Sequence, residues 1–158
     1  MAEVFNHIRG EANHLTVDAK SASTVVVQRG DLVATNSSSQ AYPAASQAWN
    51  TSLATTQEDF HDVFAGVAVD RSRNGDTAPI LLATQGVFLF KCASATFQIG
   101  DLVGPAKDTG NALLSDTVVA VATPNLAVGR VTKGGTSVTT VEVEIRSTRV
   151  YGGPQAMA

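Results

Sequence analysis

A chain of 158 residues, 44% of them hydrophobic, is long enough for one domain with its own core. Charged residues supply only 16%, against about 25% in an average domain, and the net charge is −3. The few Lys and Arg residues are scattered, which argues against sequence-independent nucleic-acid binding, and a single cysteine, Cys92, excludes an internal disulfide framework.

Residues 1–24 read as an N-terminal segment. Its start, Met1-Ala2-Glu3-Val4-Phe5, has no basic region followed by an apolar run, so no signal peptide is expected. No apolar stretch is long enough to span a bilayer, and synthesis in a reducing cytosol is expected. Residues 25–148 read as one β domain. Val25-Val26-Val27 reads as a strand and leads into Gly30-Asp31-Leu32-Val33. That phrase returns at Gly100-Asp101-Leu102-Val103, and each copy has a Gln two residues ahead, Gln28 and Gln98. A tight turn before a strand favours Gly for its backbone freedom and Asp for bonding its own backbone.

A loop–helix insert follows at about 36–63. Residues 36–48 are rich in Ser, Ala and Gln and contain Pro43, which predicts an exposed loop. Trp49, Leu53, Phe60 and Phe64 then recur at near-helical spacing. Thr55 with Glu58 fits a capping box and predicts one short helix over about 56–63.

Strand signals return at 64–69, and Asn74-Gly75 marks a hairpin-type turn. Strands are predicted at 80–84, 86–91, 118–122, 128–132 and 138–146, with a turn at Gly134-Gly135. In the last of these, Val141, Val143 and Ile145 alternate with Glu142, Glu144 and Arg146, one face buried and one wet. Residues 149–158 read as a mobile tail. The expected fold is all-β: a single-domain barrel or sandwich of two similar halves, each opened by Gly-Asp-Leu-Val, with one short helix.

Several short patterns carry chemistry elsewhere. Arg29-Gly30-Asp31 matches an adhesion tripeptide, but the second copy reads Ile99-Gly100-Asp101, so Gly-Asp belongs to the repeat. Glu58, His61 and Asp62 share a helical face, which reads as a solvated acidic surface because no second His-rich or Cys-rich set accompanies them. His7 and His14 read as surface or interface residues, and Cys92 as a packed thiol. Lys133 with Gly134-Gly135 lacks the spacing of a phosphate loop. No catalytic residue, metal site or cofactor is expected from these patterns, and an enzyme ranks last among the readings.

Gly-Asp-Leu-Val, then Ala65-Gly66-Val67-Ala68, then Ala83-Thr84-Gln85-Gly86-Val87-Phe88, then Ala95 to Val103, resembles the capsid decoration (cement) proteins of tailed bacteriophages, of the small all-β type. The resemblance covers roughly residues 25–145, and the insert from Trp49 to Phe64 is longer than in the shortest such proteins. It implies a structural subunit on the outer surface of an icosahedral head, a homotrimer whose partner is the major capsid protein, with no nucleic-acid or membrane partner. Phe5, Ile8, Tyr42 and Trp49 are apolar or aromatic residues in stretches that otherwise read as exposed, and they are the expected capsid or subunit contacts. The alternative is a β-sandwich carbohydrate-binding module using Trp49, Tyr42 and Tyr151 as a platform.

Overall fold

The computed structural model describes residues 7–9 and 13–155. The chain is all-β and is built from one five-stranded arrangement used twice. After β1 (His7–Arg9), the first unit comprises β2 (His14–Val17), β3 (Leu32–Thr35), β4 (Ala41–Pro43), β5 (Phe64–Ala68) and β6 (Ile80–Ala83), with helix α1 (Leu53–Val63) between β4 and β5. The second comprises β7 (Gln85–Phe97), β8 (Leu102–Lys107), β9 (Leu113–Ala120), β10 (Gly129–Val131) and β11 (Gly135–Arg146). A single helical turn, α2 (Thr148–Tyr151), follows.

The strand order is β2-β6-β5-β3-β4 in one sheet and β7-β11-β10-β8-β9 in the other, so each strand of the first unit has a counterpart in the second. A one-turn 3-10 segment follows β4 at Ala44–Ser46, and another follows β9 at Pro124–Leu126. The register repeats as well. Leu32 faces Val67 and Val33 faces Gly66, as Leu102 faces Arg130 and Val103 faces Gly129. Val67 then faces Ala83, as Arg130 faces Glu144.

The two units close to different extents. In the second, β7 meets β9 through a parallel pair, Lys91 with Thr117, which completes a five-stranded barrel. In the first, the outer strands meet at one isolated parallel bridge, Lys20 with Ala41, and the sheet stays more open.

The repeated phrase sets the entry to each unit. Gly30 has φ +90° and Gly100 φ +94°, the left-handed region that a type II turn requires at its third position. Asp31 N–H donates to the Gln28 carbonyl at 3.1 Å, and Asp101 N–H donates to the Gln98 carbonyl at 3.1 Å. Each Asp carboxylate then accepts the N–H of the residue opening the turn, Gln28 at 2.8 Å and Gln98 at 2.9 Å. Gly30 N–H donates to Ala68 O and Gly100 N–H to Val131 O, both at 2.9 Å, which pins each turn to the matching strand, β5 or β10.

The two units share a core. Phe88, Phe90, Val103, Val143 and Ile145 from the barrel pack with Leu32, Phe60, Phe64 and Val67 from the first unit. A second cluster of Val17, Val27, Val33, Ala65, Ile80 and Leu82 fills the other side of the first sheet. Every residue of β5 is buried, as expected for a strand covered on both faces.

Several details differ from the sequence reading. The helix begins at Leu53 because Ser52, not Thr55, is its N-cap: Ser52 Oγ accepts Thr55 N–H at 3.2 Å. Val25-Val26-Val27 is not a strand. Only Val27 bridges, to Ser72, and Val26 is exposed. The segment read as an arm over residues 1–24 contains β2, the first strand of the first unit, which is short and only half apolar. The loop read over residues 36–48 contains β4.

Residues 149–155 are also docked where a mobile tail was expected. Arg149 Nε and Nη2 donate to Thr35 Oγ1 and O, at 3.0 and 2.9 Å. Asn13 Nδ2 donates to the Tyr151 hydroxyl at 3.0 Å, and Arg130 Nη2 donates to Gln155 O at 2.5 Å.

Candidate functional site

The insert from β4 to α1 lies where the two units meet. Ala45 N–H donates to Ser115 Oγ on β9 at 2.9 Å, and Gln57 Nε2 donates to Pro105 O on β8 at 2.9 Å. Trp49 is half-buried, and the Lys107 ammonium stands 5.7 Å from its ring centroid. Such a cation–π contact contributes roughly 0.5–1 kcal/mol at an exposed site. Tyr42 is half-buried on the shared core, and its hydroxyl donates to Gln47 Oε1 at 2.9 Å. Burial raises the Tyr42 phenol above its usual value; the Arg149 guanidinium lowers it and Asp59 raises it.

Beside this junction lies an apolar groove of about 440 Å³, where β7 and β9 separate beyond their one shared pair. Leu53, Cys92, Phe97, Leu114 and Val119 line it. Cys92 is buried, its Sγ donates to Val138 O at 3.5 Å, and burial raises its thiol pKa. A second groove of about 370 Å³ runs between β2, the β3–β4 turn and α2, and Leu15, Asp18, Asn36, Ser39 and Arg149 are among its lining residues.

Two of the four expected contact residues share one segment. Tyr42 and Trp49 sit on the insert at the junction. Phe5 lies outside the described residues, and Ile8 belongs to β1, which pairs with β7 through His7–Phe88 and Arg9–Val87. The three aromatics of the carbohydrate-binding alternative are each engaged: the Lys107 ammonium stands over the Trp49 ring, the Tyr42 hydroxyl donates to Gln47, and the Arg146 guanidinium lies 5.1 Å from the Tyr151 ring centroid.

The remaining candidates resolve into structural contacts. Asp31 is 7% exposed with its carboxylate turned onto Gln28 N–H, so the Arg29-Gly30-Asp31 tripeptide does not present its acid. His61 is buried, and its Nδ1 lies 2.7 Å from Ala127 O, tying α1 to the 3-10 segment before β10. Asp59 accepts Asn50 Nδ2 at 2.8 Å, and Glu58 is exposed. Among the described residues no three His, Cys, Asp or Glu side chains are grouped to hold a metal ion. Gly134 ends the connection from β10, Gly135 opens β11 opposite Phe97, and a Cβ on Gly134 would sit 2.9 Å from Phe97 O, so Gly134 answers to a close approach.

One residue had no signal in the sequence. Lys20 is 5% exposed, and its ammonium donates to Ser23 O, Val25 O and Arg73 O at 3.2, 2.7 and 2.6 Å. A lysine near a chain terminus reads as solvated; only the fold brings three carbonyls to it.

No protein-family model and no curated protein matches the chain. Among solved structures, it is similar to the N-terminal base of the head fiber gp8.5 of bacteriophage phi29, at 15% sequence identity and a TM-score of 0.46, over 85% of this chain and 94% of that one.

Proposed function

We propose that this chain is a structural protein of a tailed-bacteriophage virion, a decoration or cement subunit that binds the outside of an icosahedral head, and not an enzyme. The observation that carries the reading is where the resembling residues fall. Gly30 to Val33, Ala65 to Ala68, Ala83 to Phe88 and Gly100 to Val103 are the turns and strand positions that set the repeated register of the two units. The likeness to decoration proteins therefore lies in the frame of the fold and not in scattered surface residues.

The mechanism is mass action. A subunit that binds the assembled lattice, and not free capsid protein, stabilises the lattice by its own binding free energy. Several capsid contacts in one homotrimer multiply that effect through effective concentration. The N-terminal segment, residues 2–15, and the insert, residues 36–49, are the proposed contact surfaces toward the major capsid protein. A virion surface location follows from the same reading, with synthesis in the host cytoplasm.

Co-sedimentation with expanded, undecorated heads tests it. The full chain should pellet with heads and not with free capsid subunits. Removing Ala2 to Ile8 should weaken that binding. Because this cut also removes part of β1 from the edge of β7, the truncated chain is melted alongside to verify its core. Equal binding by both chains refutes the N-terminal contact, and no binding by either refutes the decoration role.

A further inference from the structure

Arg73-Asn74-Gly75-Asp76 is a third copy of the turn that opens each unit. Gly75 has φ +91°, Asp76 N–H donates to Arg73 O at 3.0 Å, and the Asp76 carboxylate accepts Arg73 N–H at 2.9 Å. Its second position holds Asn74, where the other copies hold Arg29 and Ile99. Asn followed by Gly is a reactive pair in water. Glycine has no side chain to keep its own amide nitrogen away from the asparagine side-chain carbon. Asn74 and Gly75 are both exposed, and nothing lies within 4 Å of a Cβ built on Gly75.

The nucleophile, however, is engaged. Gly75 N–H donates to Ser23 O at 2.8 Å. The same Ser23 carbonyl accepts the Lys20 ammonium, which also holds Arg73 O at the other end of the turn. One buried cation thus ties the 21–25 segment and the 73–76 turn into a single clasp.

We propose that Asn74 is a site of spontaneous deamidation whose rate is gated by the Lys20 clasp. The reaction needs the Gly75 nitrogen released from Ser23 O and deprotonated by hydroxide. That nitrogen then attacks Asn74 Cγ; the Cγ–Nδ2 bond breaks and ammonia leaves, giving a cyclic imide. Water opens the imide to aspartate or isoaspartate, so the net change is water in and ammonia out, with no oxidant or cofactor. Aspartate keeps the ordinary backbone, whereas isoaspartate adds a carbon to it between residues 74 and 75 and cannot re-form the turn, so each event that ends in isoaspartate leaves the first unit without its clasp.

The experiment follows the mass of tryptic fragment 74–91, in which Asn74 is the sole Asn, during incubation of the full chain at mildly alkaline pH, folded and in urea. Deamidation should be at least about tenfold slower in the folded chain, because only the open fraction reacts. Lys20→Met should accelerate the folded reaction and leave the rate in urea unchanged. Asn74→Asp should abolish the mass gain. Where Lys20→Met does not fold, hydrogen exchange of the wild-type Gly75 amide decides: protection by a similar factor is expected. Equal rates in folded and unfolded chains, a mass gain that survives Asn74→Asp, a folded Lys20→Met variant that reacts like wild type, or an unprotected Gly75 amide would each overturn the proposal.

Discussion

Gly66 and Gly129 occupy the same place in the two units and meet the same obstacle. A Cβ on Gly66 would lie 2.3 Å from Ala83 O, and a Cβ on Gly129 would lie 2.2 Å from Glu144 O. Each glycine faces the valine of its Gly-Asp-Leu-Val copy, Val33 or Val103. Both are therefore fixed by the close approach of β5 to β6 and of β10 to β11. Gly66→Ala and Gly129→Ala should each destabilise by about 1–3 kcal/mol, the usual cost of overpacking. Gly110→Ala, whose Cβ would meet only Asp108 Oδ1 at 3.5 Å, should stay within about 0.5 kcal/mol of wild type. Urea denaturation that ranks all three alike would contradict the shared-register account.

The Gly-Asp turns make a parallel prediction. Asp31→Ala and Asp101→Ala each remove the acceptor for a turn N–H and should cost about 1 kcal/mol, more at Asp31, which is 7% exposed. Gly30→Val and Gly100→Val force a β-branched residue to φ near +90° and should cost about 1–3 kcal/mol each. Unchanged thermal midpoints for the pair would mean that the repeat does not hold the units together in this way.

Much of this frame was legible in the sequence because turns and alternation are local. The duplicated Gly-Asp-Leu-Val, the alternating strand at 141–146 and the apolar strand around Phe88 and Phe90 all declare themselves within a few residues. The completeness of the duplication did not. β2 and β4 are four and three residues long, too short to show a period; the place of β2 is set by pairing with distant β6, and that of β4 by pairing with neighbouring β3. The same holds for Lys20 and His61, which become structural only when carbonyls from residues 73 and 127 arrive. Val25 to Val27 failed in the opposite direction: high β propensity is a preference for a half-buried pleated surface, and here no neighbouring strand is offered beyond Ser72. Of the expected contact residues, Tyr42 and Trp49 were visible as aromatics, but their lodging between the units was not.

His61→Ala should loosen the helix from residues 124–128, with the Gln57 bond to Pro105 O still in place. It removes the contact with Ala127 O and leaves that carbonyl without its imidazole partner, at a cost of about 1–3 kcal/mol. Hydrogen exchange should show the loss concentrated in α1 and residues 124–128. A uniform change across both units would contradict the local role.

Cys92 should be inert in the native chain. Its thiolate, the reactive form, is disfavoured by burial, and Val138 O accepts the thiol. Labelling by an aromatic disulfide reagent at mildly alkaline pH should be slow until urea unfolds the barrel. Rapid stoichiometric labelling of folded protein would place Cys92 at the surface of the groove and not in its wall.

The proposed decoration role is tested most directly by electron cryomicroscopy of mature tailed-phage heads from cells that make this chain. The account predicts density on the outer face of the shell into which the two-unit fold fits, repeated over the lattice, with the insert or the N-terminal segment against the capsid protein. Density for this fold only at a tail or portal, or heads that lack it altogether, would contradict the account.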